Sequence, residues 1–148
     1  MSRNVLVILC CLAVLSGCSA NLRQVTTRVD SVQIDEQTEQ GVRVLVTVVA
    51  ENPNDMQLPI VKAKYKVTLA GGGEFTFTDL PKATLPANGT QTITLPAAFA
   101  LDGGDAAGTS YQVTGQLTYE PPGEIRKLLT EYNVPLPSAP FKDDGALQ

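Results

Sequence analysis

The sequence contains no histidine and no tryptophan, and the last of its three cysteines is Cys18. Without histidine, the commonest general base and the commonest zinc ligand are both missing. Ser31, Ser110 and Ser138 have no imidazole partner to activate them. Base candidates shrink to Asp and Glu, with Lys or Tyr as minor options. The neighbours Asp35-Glu36 and Asp143-Asp144 point opposite ways on a strand or lie in a tail, so neither is a poised acid–base pair. No catalytic residue and no enzyme activity are expected. The lack of cysteine beyond Cys18 excludes disulfides, thiol catalysis and thiolate metal sites from the rest of the chain. Basic residues are also few, 11 against 15 acidic, for a net charge of −4. No positive stripe is available for phosphates, so nucleic acid is not an expected partner.

Other absences bound the class. Only 18% of residues are charged and 43% are hydrophobic, which excludes a disordered polyelectrolyte. The 148 residues make one domain, large enough to bury roughly two thirds of its unfolded surface. One long apolar run is present, Val5 to Leu15, flanked on its N-terminal side by Arg3. It is too short for a spanning helix of about 20 residues and fits the apolar core of a signal peptide.

Directly after this run stands Leu15-Ser16-Gly17-Cys18. These residues resemble a bacterial lipobox, in which small side chains admit the chain to the lipoprotein signal peptidase. That resemblance implies diacylglycerol on the Cys18 thiol and cleavage before it. Residues 1–17 are then the signal peptide, and Cys18 becomes the first mature residue. An ordinary secretory peptide cut after Ala20 is the alternative. Two or more acyl chains anchor stably where one does not. The expected location is the bacterial envelope, bound to a membrane through the acyl chains, with Ser19 consistent with outer-membrane sorting. Residues 18–24 form the lipidated cysteine and tether, and Ser19 to Gln24 spans at most roughly 20 Å. Losing Arg3 makes the mature chain one charge more acidic, so the lipid rather than charge holds it to the membrane.

The period beyond residue 24 is two. In Val61-Lys62-Ala63-Lys64-Tyr65-Lys66-Val67-Thr68-Leu69, odd positions are apolar and even ones are Lys or Thr, a half-buried strand. Tyr111 to Tyr119 repeats the pattern, with Gly115 interrupting the core face as a bulge or close backbone approach. Gly41 to Ala50 is more uniformly apolar and reads as a central strand covered on both faces. Gln91 to Leu101 alternates through Ile93, Leu95, Ala97 and Phe99. Thr27–Asp35 and Glu74–Thr78 are weaker strands.

Turn residues separate these runs: Asn52-Pro53-Asn54-Asp55, the Gly71-Gly72-Gly73 hairpin, Pro86-Ala87-Asn88-Gly89, and Pro121-Pro122-Gly123. The triple glycine lacks the Lys-Ser/Thr of a phosphate loop, and Asn88-Gly89-Thr90 matches a glycosylation sequon but reads as a turn. Asp102 to Gly108 is a loop. Its Asp102 and Asp105 are a sparse calcium candidate, a solvated turn being the default. No metal and no cofactor are expected. Glu124 to Tyr132 is the single helical candidate, one or two turns packed on a sheet edge. The chain from Pro135 to Phe141 is extended, and residues 142–148 are expected to fray. The fold class is all-β: a small antiparallel β-sandwich of immunoglobulin or fibronectin III type, with one short helix near the C-terminal end. An open barrel is the alternative.

The apolar strand that runs into Asn52-Pro53-Asn54 carries a wider likeness. With Leu58-Pro59-Ile60, the Lys-Tyr-Lys strand, Leu85-Pro86-Ala87-Asn88-Gly89 and Tyr111-Gln112-Val113-Thr114-Gly115, it resembles the late embryogenesis abundant type 2 family. The related module is the water-stress and hypersensitive-response domain. The likeness covers residues 25–141, with 142–148 as a tail. It implies a fibronectin-like sandwich, Asn52-Pro53-Asn54 as a structural turn, and a non-catalytic role in desiccation, water or envelope stress. Partners would be weak client proteins. The rival reading is an envelope-assembly module in which a sheet edge, watched at Pro135–Phe141, accepts a partner strand. An apolar ligand groove between the sheets is a third. The sequence does not state an oligomeric state.

Overall fold

The computed structural model describes residues 22–71 and 73–148. The expected signal segment, with Leu15, Ser16, Gly17 and Cys18, lies outside the described residues, as does Gly72. Among the described residues, eight strands and one helix follow in order: β1 (Thr26–Gln37), β2 (Gly41–Asn52), β3 (Leu58–Leu69), β4 (Gly73–Asp79), β5 (Ala83–Leu85), β6 (Gly89–Ala100), β7 (Ser110–Tyr119), α1 (Gly123–Glu131) and β8 (Ser138–Ala146). All pairing is antiparallel. One sheet runs β1-β2-β6. The other runs β4-β3-β7-β8, with β5 sharing the outer edge of β3. The two pack face to face as a β-sandwich.

Alternation decides which side chains enter the core. From β2 come Val42, Val44, Val46, Val48 and Ala50, from β6 Ile93, Leu95, Ala97 and Phe99, from β7 Val113, Leu117 and Tyr119, all buried. The lysines 62, 64 and 66 of β3 point to solvent between buried Ala63, Tyr65 and Val67. Tyr65, Tyr119, Leu58, Leu85, Leu95 and Leu117 are among the largest fully buried side chains, and they occupy the layer between the sheets.

 The Leu95 side chain lies midway along β6 and is fully buried.

Two strands depart from strict alternation. A register shift between Ile60 and Lys62 makes Val61 a bulge residue. Leu58 and Ile60 therefore enter the core on even numbers and Ala63 to Leu69 on odd ones, while Val61 is only half-buried. In β1, shifts at Asp30 and Asp35 do the same.

Four expectations change. The helix is nine residues long, about two and a half turns, and none of its residues is buried, so it does not pack firmly on a sheet edge. β2 is central in its sheet but covered on one face only: Leu45, Thr47 and Val49 are half-buried and Arg43 is exposed. Among the described residues, no layer lies over that side. Residues 142–148 are not a frayed tail. Residues 142–146 belong to β8, and beyond it Leu147 is buried, its N–H donating to Thr109 O (2.9 Å) and its carbonyl accepting from Gly108 N (2.9 Å). Finally, the edge at Pro135–Phe141 is not free along its length. Thr27 Oγ1 donates to Pro140 O (2.5 Å), Ile34 N donates to Gln148 O (3.1 Å), and Phe141 is buried. These bonds close one side of the sandwich. On the other, Tyr65 Oη donates to Pro96 O and the Phe75 and Phe99 rings stand 6.1 Å apart.

Candidate functional site

The strand ends sort into two clusters. One holds the start of β1, the end of β2, the starts of β3 and β6, the end of β7 and α1. The antiparallel registers Thr26↔Glu51, Asn52↔Gly89 and Thr118↔Ser138 place them together. The chain enters the domain here, at Leu22 and Arg23.

Asn52, Pro53 and Asn54 sit at this entry. Asn52 ends β2 in phase with the buried valines, so its amide points inward and is fully buried. A buried amide needs partners. Its Nδ2 donates to Met56 O (2.8 Å) and Pro86 O (2.9 Å). Its Oδ1 accepts from Asn54 N (3.1 Å) and Asn54 Nδ2 (2.9 Å). Asn54, also buried, reaches the entering chain: Arg23 N donates to its Oδ1 (2.7 Å), and its Nδ2 donates to Arg23 O (2.9 Å). Its own carbonyl accepts from Asn88 N (2.8 Å), where Asn88 takes φ 48° in the turn before β6. Two side chains thus join the entering segment, the β2–β3 loop and the β5–β6 turn. Pro53 lies between them and supplies a fixed φ.

This arrangement holds backbone rather than substrate. Among the described residues, no buried side-chain nitrogen or oxygen lacks a partner, so no idle polar group is aimed at a ligand. Two tyrosines are held in the phenol form. Burial, with Asp79 adding to it, pushes Tyr65 up to about 12. Tyr111 is pushed up to about 12 by burial, then by its hydrogen bond to Asp143 (2.7 Å) and the charges of Asp143 and Asp144. At the far end, Asp105 accepts from Ala107 N (2.9 Å), and Gln37 pins the loop through Gly104 O and Ala106 N, both at 3.1 Å.

Comparison with known structures decides the fold type. The chain is similar to the solution structure of At2g46140.1, described as a candidate late embryogenesis abundant (LEA) protein. The TM-score is 0.62 at 21% identity, over 86% of this chain and 72% of that one. It is also similar to AT1g01470 from Arabidopsis thaliana, with TM-score 0.58 and 17% identity, over 86% of this chain and 83% of that one. The fold is of the LEA type. No family model matches the sequence, and no curated protein matches it.

Within this LEA-type sandwich, Asn52-Pro53-Asn54 does more than turn the chain. Sequence reasoning read the motif as a local turn and missed its bonds to Arg23 and Pro86. The available signal was phase: Asn52 follows Val44, Val46, Val48 and Ala50 on the buried face of β2. An amide on a buried face implies a network of partners.

Proposed function

We propose that this protein is a lipid-anchored, non-catalytic envelope protein of LEA type that protects against desiccation or related envelope stress. The observation that carries this reading is the asparagine lock at the chain entry. Asn54 grips Arg23 from both sides, five positions after the lipobox-like cysteine Cys18. A short lead fastened to a rigid domain suits a protein held close to a membrane. The LEA-type fold supports the stress role, and client contacts would be weak and made by the polar strand faces. The bacterial outer membrane, facing the periplasm, is the proposed location.

The test is survival after controlled drying, for wild type, a deletion and Cys18→Ala, with each strain also challenged by detergent while wet. A loss specific to drying, shared by deletion and Cys18→Ala, is the expected result. Unchanged survival after drying would refute the stress role.

One observation favours an assembly module as a second reading. The short edge strand β4 exposes Phe77 (47%) and is followed by Leu80 (70%), which gives a partner strand an apolar margin to bind. Cross-linking in intact cells discriminates: a single stoichiometric partner at β4 favours assembly, and a diffuse distribution favours protection.

A further inference from the structure

The element that the domain covers least is α1. Ile125, Leu128, Leu129 and Tyr132 follow the i, i+3, i+4, i+7 spacing of an amphipathic helix. None is buried. Ile125 and Leu129 are half-covered, whereas Leu128 is 53% exposed, Tyr132 70% and Val134 49%.

This apolar surface sits on fixed backbone. Asn133 adopts φ 55°, its N–H donates to Thr130 O (3.3 Å), and Val134 N donates to Leu129 O (2.8 Å). That is a Schellman cap with Asn in the left-handed position. The neighbouring charges are largely paired: Arg126 Nε with Glu120 Oε1 (2.7 Å) and Lys127 Nζ with Glu124 Oε1 (2.8 Å). Glu131 is the one charged residue of the helix without an ion pair among the described residues, so no concentrated negative charge lies beside the stripe.

Its place matters as much as its composition. α1 connects the end of β7 to the start of β8, and Tyr119 at the end of β7 accepts a hydrogen bond from Val25 N (3.5 Å). The helix thus lies at the same end of the sandwich as Arg23. From Cys18 to Arg23 the chain can extend at most roughly 17 Å. A nine-residue helix is itself about 13 Å long and roughly 10–12 Å thick. Acyl chains on Cys18 would hold this end, not the Gln37–Ala106 end, against the bilayer.

We infer that Leu128, Tyr132 and Val134 form a docking face for the lipid surface to which Cys18 is tethered. The inference rests on the lipid-anchor reading. Leu128 and Val134 enter the headgroup–acyl boundary, and Tyr132 places its ring there with its hydroxyl toward water, as tyrosines do at membrane interfaces. The face orients the domain, and the loop at residues 101–109 points away from the membrane.

The absence of tryptophan makes a direct test available. The mature protein, purified from membranes, is reconstituted into phosphatidylethanolamine–phosphatidylglycerol vesicles with Tyr132→Trp as its single tryptophan. Ala107→Trp, in the exposed far loop, is the control. The expected result is a shift of Tyr132→Trp emission to shorter wavelength and quenching by brominated lipids, with Ala107→Trp unaffected. Adding Leu128→Asp and Val134→Asp should abolish both signals while circular dichroism stays unchanged. A wavelength shift without lipid quenching would mean that protein, such as a second copy, covers the face, and would overturn the inference. So would water-like emission from Tyr132→Trp on vesicles. Mass spectrometry separates the two readings. If the acyl mass is present and the probe stays in water, docking alone fails. If the acyl mass is absent, the anchor reading fails and docking falls with it.

Discussion

Replacing Asn52 with Ala should destabilise the domain far more than a turn residue normally would. The side chain is fully buried and makes four hydrogen bonds. The substitution strands Asn54 N and one Asn54 Nδ2 hydrogen in buried surroundings. It also frees the Met56 and Pro86 carbonyls, whose bonds to Asn52 are only partly buried and which can turn to water. An orphaned buried donor costs about 1–3 kcal/mol, so two give a central expectation of about 3 kcal/mol once partial relaxation is allowed. Total stability is on the order of 5–15 kcal/mol, and the loss should lower Tm by on the order of 10 °C. Urea denaturation, followed by circular dichroism, reads the value directly. Two controls sharpen it. Pro53→Ala removes no hydrogen bond and should cost at most about 1 kcal/mol through unfolded-state entropy. Asn52→Ala combined with Asn54→Ala should fall short of the sum by at least about 0.5 kcal/mol, since the residues share a network. A loss below about 1 kcal/mol for Asn52→Ala, or strict additivity, would refute the lock.

Three further outcomes are expected. Gly115→Ala should cost about 1–3 kcal/mol, because the added Cβ would overlap the Phe141 ring and lie 2.8 Å from Lys64 O; Phe141→Leu in the same chain should recover part of the loss in a denaturation cycle. Removing residues 146–148 deletes buried Leu147 and three backbone hydrogen bonds, so denaturation should show a loss of about 2–3 kcal/mol, where a frayed tail would show none. Raising pH should destabilise the protein across roughly pH 10 to 12. The folded-state pKa values of Tyr65 and Tyr111 are raised from 10.0 to about 12, so their stabilisation is full below the unfolded value and is lost as pH rises through the folded one. Tyr65→Phe with Tyr111→Phe should flatten that part of the pH–stability curve.

The sandwich was legible because β2, β6 and β7 keep their phase from end to end, and each apolar side chain had one face to go to. β1 was weaker in the sequence for a physical reason. Its bulges at Asp30 and Asp35 shift the parity, so Val29 and Ile34 share a face although their numbers differ in parity. Val61 misled for the same reason. The end of β8 was hidden because Lys142-Asp143-Asp144-Gly145 is polar, while its cover comes from pairing with Thr114 to Tyr111 and from Leu147 beyond it. α1 was found by period, but its apolar spacing implied a cover that the domain does not supply. The asparagine lock was half legible. Composition marked a turn, and only the long-range partners Arg23 and Pro86 reveal what the turn fastens.

The lock and the helix make one mechanical argument when taken with the proposed anchor. Without the Arg23–Asn54 bonds, the lead from Cys18 would run to Val25, the next residue the domain holds, and its reach would rise from roughly 17 Å to roughly 24 Å. That added length exceeds half the length of an α1-sized helix, enough for the domain to turn its apolar face away from the bilayer. Asn54→Ala should therefore affect two readouts. It should lower stability, and it should weaken lipid quenching of a tryptophan at position 132 under conditions where the domain remains folded. A merely structural turn would produce the first effect alone. Full quenching in a folded Asn54→Ala protein would show that the docking face holds its own orientation, and the mechanical role given to the lock would be withdrawn.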